Sequence, residues 1–188
     1  MIESAWWWPI ASQGDDLSQP QAVTLLGRSL VLWQAQDLTV SLLNDRCPHR
    51  GAQLSMGQVR GNALQCPYHG WRFGVQGHCE HIPSQPDFVP PASAAVRSHP
   101  LQSAHGLWWA SLDGKAQHPL PELSALPGRR LVYGPFDVAT SAPRAVENFL
   151  DTSHFAFVHE GWLGDARHPE VPAHEVTWSP DGRPVVEH

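Results

Sequence analysis

Short apolar runs alternate with turn residues over the first 115 positions, a pattern typical of antiparallel β-structure. Apolar runs at residues 25–33 and 38–43 flank a Gln-Asp turn and predict paired strands. A further run at 106–112 predicts a buried strand that could close the first sheet. We therefore expect a mainly β fold of antiparallel sheets at the start of the chain.

Between residues 45 and 83 the chain is dense in Gly, Pro, Cys and His, with short strand candidates at 63–65 and 71–73. Ligand sites often lie in loop-built regions of this kind. Residues 116–130 are rich in proline and predict a linker. The expected organisation is a β-domain over residues 1–115, with a ligand-binding subdomain at about 45–83, followed by that linker.

The start of a second domain is expected over residues 131–188, where one segment has the pattern of a helix. Residues 145–155 carry good helix formers, and Pro143 suits a first helical turn. A strand-like run at 174–178 precedes an Asp-Gly hairpin turn. This mixture predicts the opening of an α+β domain.

Charge and hydropathy exclude several partners. The 188-residue chain has a formal net charge of −6, one lysine and scattered arginines, which gives no footprint for nucleic acid. No apolar stretch approaches the ~20 residues that a membrane-crossing helix requires. The N-terminus lacks the pattern of a secretory signal. We expect a cytoplasmic protein with no nucleic-acid or membrane partner.

Two of the three cysteines lie beside histidines, in Cys-Pro-His at 47–49 and Cys-Pro-Tyr-His at 66–69. Three cysteines cannot all pair, so metal ligation in a reducing compartment is favoured over a disulfide framework. A 2Fe-2S cluster with two cysteines on one iron and two histidines on the other needs two loops that each deliver both ligand types. We therefore predict an electron relay whose ligands are Cys47, His49, Cys66 and His69.

A Cys₂His₂ zinc site uses the same ligand set and is the rival interpretation of these residues. Zinc fingers usually group Cys with Cys and His with His, whereas each segment here mixes the two. Four unrelated loop residues would be the simplest alternative. Cys79 stands apart from both segments, and we expect it to be a packed or partly exposed free thiol.

A second pair of candidate metal ligands, His154 and His159, lies in and just after the predicted helix. Five residues on an ideal helix turn through about 500°, so the two side chains would lie about 140° apart around the axis. They could share a metal only if the helix widens or ends between them. Spacing alone leaves two ordinary, partly buried histidines as an equal interpretation.

Together these motifs resemble those of the Rieske non-haem iron oxygenases, in particular the vanillate demethylase-like oxygenase (alpha) components. Each cluster segment holds one cysteine, whereas respiratory-chain Rieske proteins carry an additional one in each loop, joined as a disulfide. The downstream stretch is similar to the family signature Asn-x-x-Asp-x-x-His-x-x-x-x-His. The matching positions outside the cluster ligands are Trp7-Trp8-Pro9-Ile10, Arg46, Arg50-Gly51-Ala52, Leu54-Ser55, Tyr68, Gly70-Trp71, Ile82-Pro83-Ser84, Asn148, Asp151, His154 and His159.

The resemblance implies a Rieske domain followed by the N-terminal part of a mononuclear-iron catalytic domain. His154 and His159 match the histidine ligands of an Fe(II) that activates O₂. Asp151 matches a residue that hydrogen-bonds a cluster histidine of the neighbouring subunit and so couples the two centres. The family's third iron ligand lies far downstream, so the chain is expected to be a fragment or a natural truncation. None of the later carboxylates stands in a matching context: Asp165, Glu170, Glu175, Asp181 and Glu187.

The implied activity is that of a monooxygenase or dioxygenase component. Electrons from NAD(P)H would pass through a reductase or ferredoxin to the cluster and then to the mononuclear iron, for hydroxylation or O-demethylation of an organic, aromatic substrate. The complete protein would be a homotrimer. Two alternatives stay open: a Rieske ferredoxin-like electron-transfer protein, and a truncated oxygenase whose mononuclear site is incomplete and inactive alone.

Overall fold

A computed structural model of the chain describes residues 2–114, 119–120, 122, 128, 131–134, 136, 138–180 and 184–187. The chain divides into two compact units, Met1–Pro135 and Phe136–His188. Most of the expected linker at 116–130 lies outside the described residues, as does the Asp-Gly pair at 181–182. Among the described residues, no helix has the length and apolar character needed to cross a membrane.

The first unit is built mainly from short strands, which confirms the predicted mainly β class. Its described residues contain ten strands: β1 Trp8–Ser12, β2 Gln21–Leu25, β3 Arg28–Gln34, β4 Val40–Asn44, β5 Gln58–Arg60, β6 Ala63–Gln65, β7 Arg72–Gly74, β8 Cys79–His81, β9 Leu101–Ala104 and β10 Leu107–Ala110. Short 3-10 helices lie at Ile2–Ala5, Leu54–Met56 and Ala92–Ala94.

These strands form three antiparallel sheets. The strand orders are β1-β10-β9, β2-β3-β4 and β5-β6-β7-β8, so the last sheet is a simple meander. The meander carries the region expected to bind a ligand, because β6 and β7 flank the second Cys-His segment. The first segment follows β4 directly.

Strand β3 lies between two cores because residues Leu30 to Trp33 are all fully buried. Successive side chains of a strand point to opposite faces. Leu30 and Leu32 accordingly enter one core, shared with Ala110 of β10, while Val31 and Trp33 enter the other. That second core also contains Leu43, Cys47, Leu54, Leu64, Cys66 and Phe73. Both candidate cysteines are therefore anchored in the hydrophobic interior.

Two details differ from the predicted strands. The apolar run at 25–33 is not one strand, because β2 ends at Leu25 and Leu26, with a φ of 48°, begins a tight turn into β3. A non-glycine residue with positive φ is uncommon, and Leu-Gly is not one of the usual hairpin-turn pairs. In addition, β10 pairs with β1 and β9 and does not close the β2-β3-β4 sheet.

The second unit contains two helices and one strand pair in its described residues: α1 Ala142–Leu150, α2 Phe155–Val158, β11 Glu175–Trp178 and β12 Pro184–Glu187. Pro143 lies in the first turn of α1, as predicted. The helix ends at Leu150, inside the run of helix formers at 145–155, because Asp151 has an extended ψ of 113°. The strand run at 174–178 is present as β11, paired antiparallel with β12.

Candidate metal centres

Two loops in the first unit share one backbone hydrogen-bond pattern. In each loop, the backbone N–H of the cysteine donates to the carbonyl oxygen of the fifth residue after it. The backbone N–H of the glycine, which is the fourth residue after the cysteine, donates to the cysteine carbonyl oxygen. The first loop has Cys47 to Ala52 at 2.8 Å and Gly51 to Cys47 at 2.9 Å; the second has Cys66 to Trp71 at 2.8 Å and Gly70 to Cys66 at 3.1 Å. The two loops are therefore structural repeats, each closed on its own cysteine.

A glycine in the left-handed region is common to both loops. Gly51 has a φ of 75° and Gly70 a φ of 70°, values that side chains with a Cβ rarely adopt. A Cβ on Gly70 would also lie 3.0 Å from Cγ of Pro83. The turn that follows each cysteine and histidine thus depends on glycine, and the second loop is in addition packed against Pro83.

The loops direct their cysteines inward and their histidines outward. Cys47 is 3% exposed and Cys66 is 2% exposed, whereas His49 and His69 are both exposed. The two imidazole centroids lie 4.6 Å apart with their planes inclined at 63°. The structure therefore brings the four predicted ligands to one place, with sulfur on the buried side and nitrogen on the solvent side.

Aromatic rings of the second loop hold both histidines. The indole of Trp71 is stacked on His49, with centroids 4.6 Å apart and planes 3° apart. The phenol ring of Tyr68 lies against His69 at 3.9 Å with a tilt of 35°. Each imidazole therefore has one ring face covered, which restricts its rotation.

Burial has opposite consequences for metal binding at the two kinds of ligand: it favours the neutral imidazole of His49, which is the ligating form, and disfavours the Cys47 thiolate. Burial raises the pKa of Cys47 to about 11. The neighbouring Cys66 thiol acts in the same direction, and the backbone N–H groups of His49 and Arg50 act against it. Without a metal this group stays a thiol, so metal binding must release its proton. Desolvation, followed by the charges of His69 and Arg50, lowers the pKa of His49, which favours the neutral imidazole that ligates metals.

The donor set suits a two-iron cluster better than one metal ion. A cluster with two thiolates on one iron and two imidazoles on the other matches a buried cysteine pair beside an exposed histidine pair. A single tetrahedral zinc requires all four donors to converge on one point. Among the residues that the structure describes, no three His, Cys, Asp or Glu side chains converge closely enough to hold one ion. The zinc alternative gains no support.

Cys79 lies apart from the two loops, on β8. It is a partly buried free thiol whose Sγ is 3.9 Å from the His81 carbonyl oxygen. Burial raises the pKa of this thiol. These properties agree with the expected packed thiol and make Cys79 a natural control for the two loop cysteines.

The second unit places its two histidines at the ends of α2. His154 precedes the helix and His159 follows it, with ring centroids 5.3 Å apart and planes inclined at 62°. The helix is a single turn that ends before His159, so the wide angle expected on a continuous helix does not apply. The broken helix thus allows both imidazoles to approach a shared position.

Asp151 connects this histidine pair to the break between the helices. Its Oδ1 accepts hydrogen bonds from the Ser153 backbone N–H (2.8 Å) and hydroxyl (2.5 Å), and its Oδ2 lies 3.4 Å from Nδ1 of His154. The side-chain and then the backbone bond from Ser153 lower the pKa of Asp151. An ionised carboxylate facing Nδ1 leaves Nε2 of His154 free to face a metal.

The structure adds no third ligand to this pair among the described residues. Asp165 is engaged by Arg167, with guanidinium nitrogen to carboxylate oxygen at 2.7 Å. Asp181 lies outside the described residues, and so does the side chain of Glu187. The pair is therefore an incomplete set of ligands within the described chain.

Comparison with known proteins connects both units to one enzyme class. Residues 7–100 match the family described as the Rieske [2Fe-2S] domain, and residues 138–188 match the vanillate O-demethylase oxygenase C-terminal domain. The chain is 41% identical over 157 residues to methylxanthine N1-demethylase NdmA of Pseudomonas putida, a match covering 81% of this chain and 44% of that protein. It is 40% identical over 168 residues to methylxanthine N3-demethylase NdmB of the same organism, covering 84% and 47%.

A solved structure of Pseudomonas putida NdmA with caffeine is similar in three dimensions. The TM-score is 0.80 at 35% sequence identity, covering 92% of this chain and 53% of the other. The chain thus spans about half the length of the curated relatives that it matches.

Proposed function

The chain belongs to the Rieske oxygenase family, and from this premise we propose that it forms the cluster-binding region and part of the iron-binding region of an oxygenase component. The activity would be hydroxylation or demethylation of an aromatic or heteroaromatic substrate. One observation carries this proposal: two repeated loops place a buried cysteine pair beneath an exposed histidine pair.

In the first unit, Cys47, His49, Cys66 and His69 would hold a 2Fe-2S cluster. When bound, such a cluster takes up and releases single electrons, and its histidine-ligated iron is the easier one to reduce. The core around both sulfurs excludes water and fixes the loops. The exposed edges of the two imidazoles remain available to hydrogen-bond a carboxylate of another subunit. Such a hydrogen bond orients a ligating histidine.

In the second unit, His154 and His159 would supply two ligands of a mononuclear Fe(II). When two histidines and one carboxylate bind this ion on one face, it keeps positions open for O₂ beside the substrate. Asp151 would orient His154 through Nδ1 and couple this centre to a cluster histidine of a neighbouring subunit. We assign no third ligand within the described residues.

The partners follow from the same assignment. NAD(P)H would supply electrons through a reductase or ferredoxin. As the family resemblance implies, the complete protein would be a cytoplasmic homotrimer in which Asp151 couples the two centres across a subunit interface. The matched relatives are named for N-demethylation of methylxanthines and the matched C-terminal domain for O-demethylation of vanillate. Methyl groups on nitrogen or oxygen of a ring compound are therefore the first substrates to try.

Cluster assembly under anaerobic conditions tests the ligand assignment. The reconstituted protein should contain two acid-labile sulfides per chain and give the EPR signal of a reduced Rieske centre. Cys47→Ser and Cys66→Ser should each abolish both, whereas Cys79→Ser should leave both unchanged. Absence of labile sulfide in the unsubstituted protein, or its retention after Cys47→Ser, would refute the assignment.

The iron content separates the oxygenase from an electron carrier. A protein with its complete catalytic domain should bind three irons per chain if it is an oxygenase and two if it is a carrier. His154→Ala should then remove one iron and leave the labile sulfide unchanged. A constant iron content after this substitution would show that His154 is not a ligand.

A further inference from the structure

A polar groove with a volume of about 460 Å³ borders the first cluster loop. Its lining includes Arg28 at the start of β3, Asn44 at the end of β4, and Asp45, Arg46 and Gly51 beyond β4. Because β3 and β4 are antiparallel, with Leu30 opposite Asn44, the start of one strand meets the end of the other. Pairing of the strands therefore creates the groove beside the loop that contains Cys47.

The groove presents hydrogen-bond donors and positive charge. Arg28 and Arg46 are exposed, and neither guanidinium forms an ion pair within the described part of the chain. Asp45 is 5% exposed as a residue, and its carboxylate accepts hydrogen bonds from the Ser55 backbone N–H (2.7 Å) and hydroxyl (2.6 Å). It is therefore held in the interior and does not cap either guanidinium.

Asn44 adds a further hydrogen-bond donor to the groove. Its side-chain Oδ1 lies 2.8 Å from Nε2 of the buried His99, so the acceptor end of the amide is occupied from inside. The amide nitrogen is left as a donor. Two guanidinium groups and an amide donor form a surface that suits carboxylates, because arginine binds carboxylates through paired, charge-assisted hydrogen bonds.

The groove also lies close to the candidate redox centre. Arg46 is the residue directly before Cys47, and its guanidinium lies 3.4 Å from the position that a Cβ on Gly51 would occupy. The side chain therefore runs along the first loop. A protein seated on Arg46 would be one backbone residue from a predicted cluster thiolate.

We propose that this groove is the docking site for an acidic, ferredoxin-type electron donor, whose surface carboxylates pair with Arg28 and Arg46. One electron would leave the reduced donor cluster and enter the oxidised cluster of this chain. The inference rests on the proposed function. A chain with net charge −6 repels acidic proteins in general, so a local pair of unpaired arginines would determine where such a donor can approach.

Stopped-flow reduction with a chemically reduced plant-type [2Fe-2S] ferredoxin tests the proposal. Arg28→Glu should lower the second-order rate of reduction by roughly tenfold at low ionic strength, because reversing a charge at an interface acts mainly on association. The difference should largely vanish at about 0.5 M salt, where screening is nearly complete over a few ångströms. Arg46→Glu should behave alike, and Arg46→Lys should retain most of the rate.

Arg60→Glu is the matched control, because Arg60 is an exposed β5 residue outside the groove and the charge change is the same. Its rate should stay within about twofold of the unsubstituted protein. Any one of three results would overturn the docking site. The first is an equal effect of Arg60→Glu and Arg28→Glu on the rate, the second is an unchanged rate in Arg28→Glu, and the third is a rate of reduction of the unsubstituted protein that does not depend on salt.

Labile sulfide and reduction by dithionite are measured first on every variant. Normal values together with an unaffected ferredoxin rate in Arg28→Glu would reject the groove and leave the cluster assignment intact. Absence of labile sulfide in the unsubstituted protein would reject the proposed function itself. The two failures are therefore distinguishable.

Discussion

The indole of Trp71 lies parallel to the imidazole of His49, with ring centroids 4.6 Å apart and planes inclined by 3°. The two residues come from different loops, so this stack joins the loops across the candidate cluster site. Trp71 also packs against the core that contains both cysteines. Its ring therefore connects the buried half of the site to the exposed half.

Replacing Trp71 should weaken retention of the cluster. Trp71→Leu removes the flat surface that restricts His49, and an aromatic pair contributes about 0.5–1.5 kcal/mol beyond its buried area. Loss of the cluster to an iron chelator should become roughly 2 to 10 times faster, followed by bleaching of its visible absorption. Trp71→Phe retains a stacking ring and should stay closer to the unsubstituted rate. Equal rates for the Leu and Phe variants would show that stacking does not contribute.

The sequence predicts these ligands because their chemistry is local. Each Cys-His segment carries its cysteine, histidine and glycine within six residues, so one loop repeats the other without reference to the rest of the fold. The stack between His49 and Trp71 is different. Trp71 matches a family position, but its contact with His49 depends on how two separate loops meet in the fold. The spacing of the two residues along the chain does not predict that contact.

The groove beside the first loop could not be predicted from the sequence for the same reason. Arg28 and Arg46 are eighteen positions apart in the sequence and become neighbours only through the register of β3 and β4. That register could not be predicted, because the run at 25–33 hides the turn at Leu26. From the sequence alone the two arginines are indistinguishable from scattered surface charges.

The two loop glycines should differ in their tolerance of alanine. Both have positive φ, so either substitution should cost about 1–2 kcal/mol from backbone strain. At Gly70 the new Cβ would also meet Pro83 at 3.0 Å, whereas at Gly51 the nearest atoms belong to the flexible Arg46 side chain at 3.4 Å. Gly70→Ala should therefore lower the thermal midpoint by several degrees more than Gly51→Ala, measured by circular dichroism on cluster-loaded protein. A larger effect at Gly51 would contradict this packing argument.

Asp151 should control electron transfer without controlling metal content. Asp151→Asn retains an acceptor for Ser153 but removes the negative charge near Nδ1 of His154. Loss of an oriented carboxylate behind a ligating histidine costs roughly 10 to 100-fold in activity. In the protein with its complete catalytic domain, single-turnover oxidation of the reduced cluster should slow by that factor, with iron and sulfide unchanged.

Asp165→Asn is the control for this experiment, because Asp165 is an aspartate of the same unit whose carboxylate pairs with Arg167. It should leave cluster oxidation unaffected. If Asp151→Asn and Asp165→Asn gave the same rate as the unsubstituted protein, Asp151 would have no coupling role.

His99 should make the first unit sensitive to acid. It is 6% exposed, and burial, followed by the charges of Arg97 and Arg28, lowers the pKa of His99 from 6.5 to about 4. A lowered pKa means that the folded protein favours the neutral imidazole. Its stability contribution is therefore complete above pH 6.5 and is lost as the pH falls from 6.5 towards 4. By linkage the loss at pH 5 is about 2 kcal/mol.

The substitution His99→Gln isolates this contribution. Glutamine can still donate to Oδ1 of Asn44, which His99 contacts at 2.8 Å, but it does not titrate. Between pH 7 and pH 5 the unsubstituted protein should lose about 2 kcal/mol more unfolding free energy than the variant, because carboxylates and the cluster histidines are common to both. Urea unfolding at the two pH values under anaerobic conditions measures the difference. Parallel losses in the two proteins would mean that His99 accepts a proton in the folded state near its ordinary pKa, and that its burial does not oppose the charge.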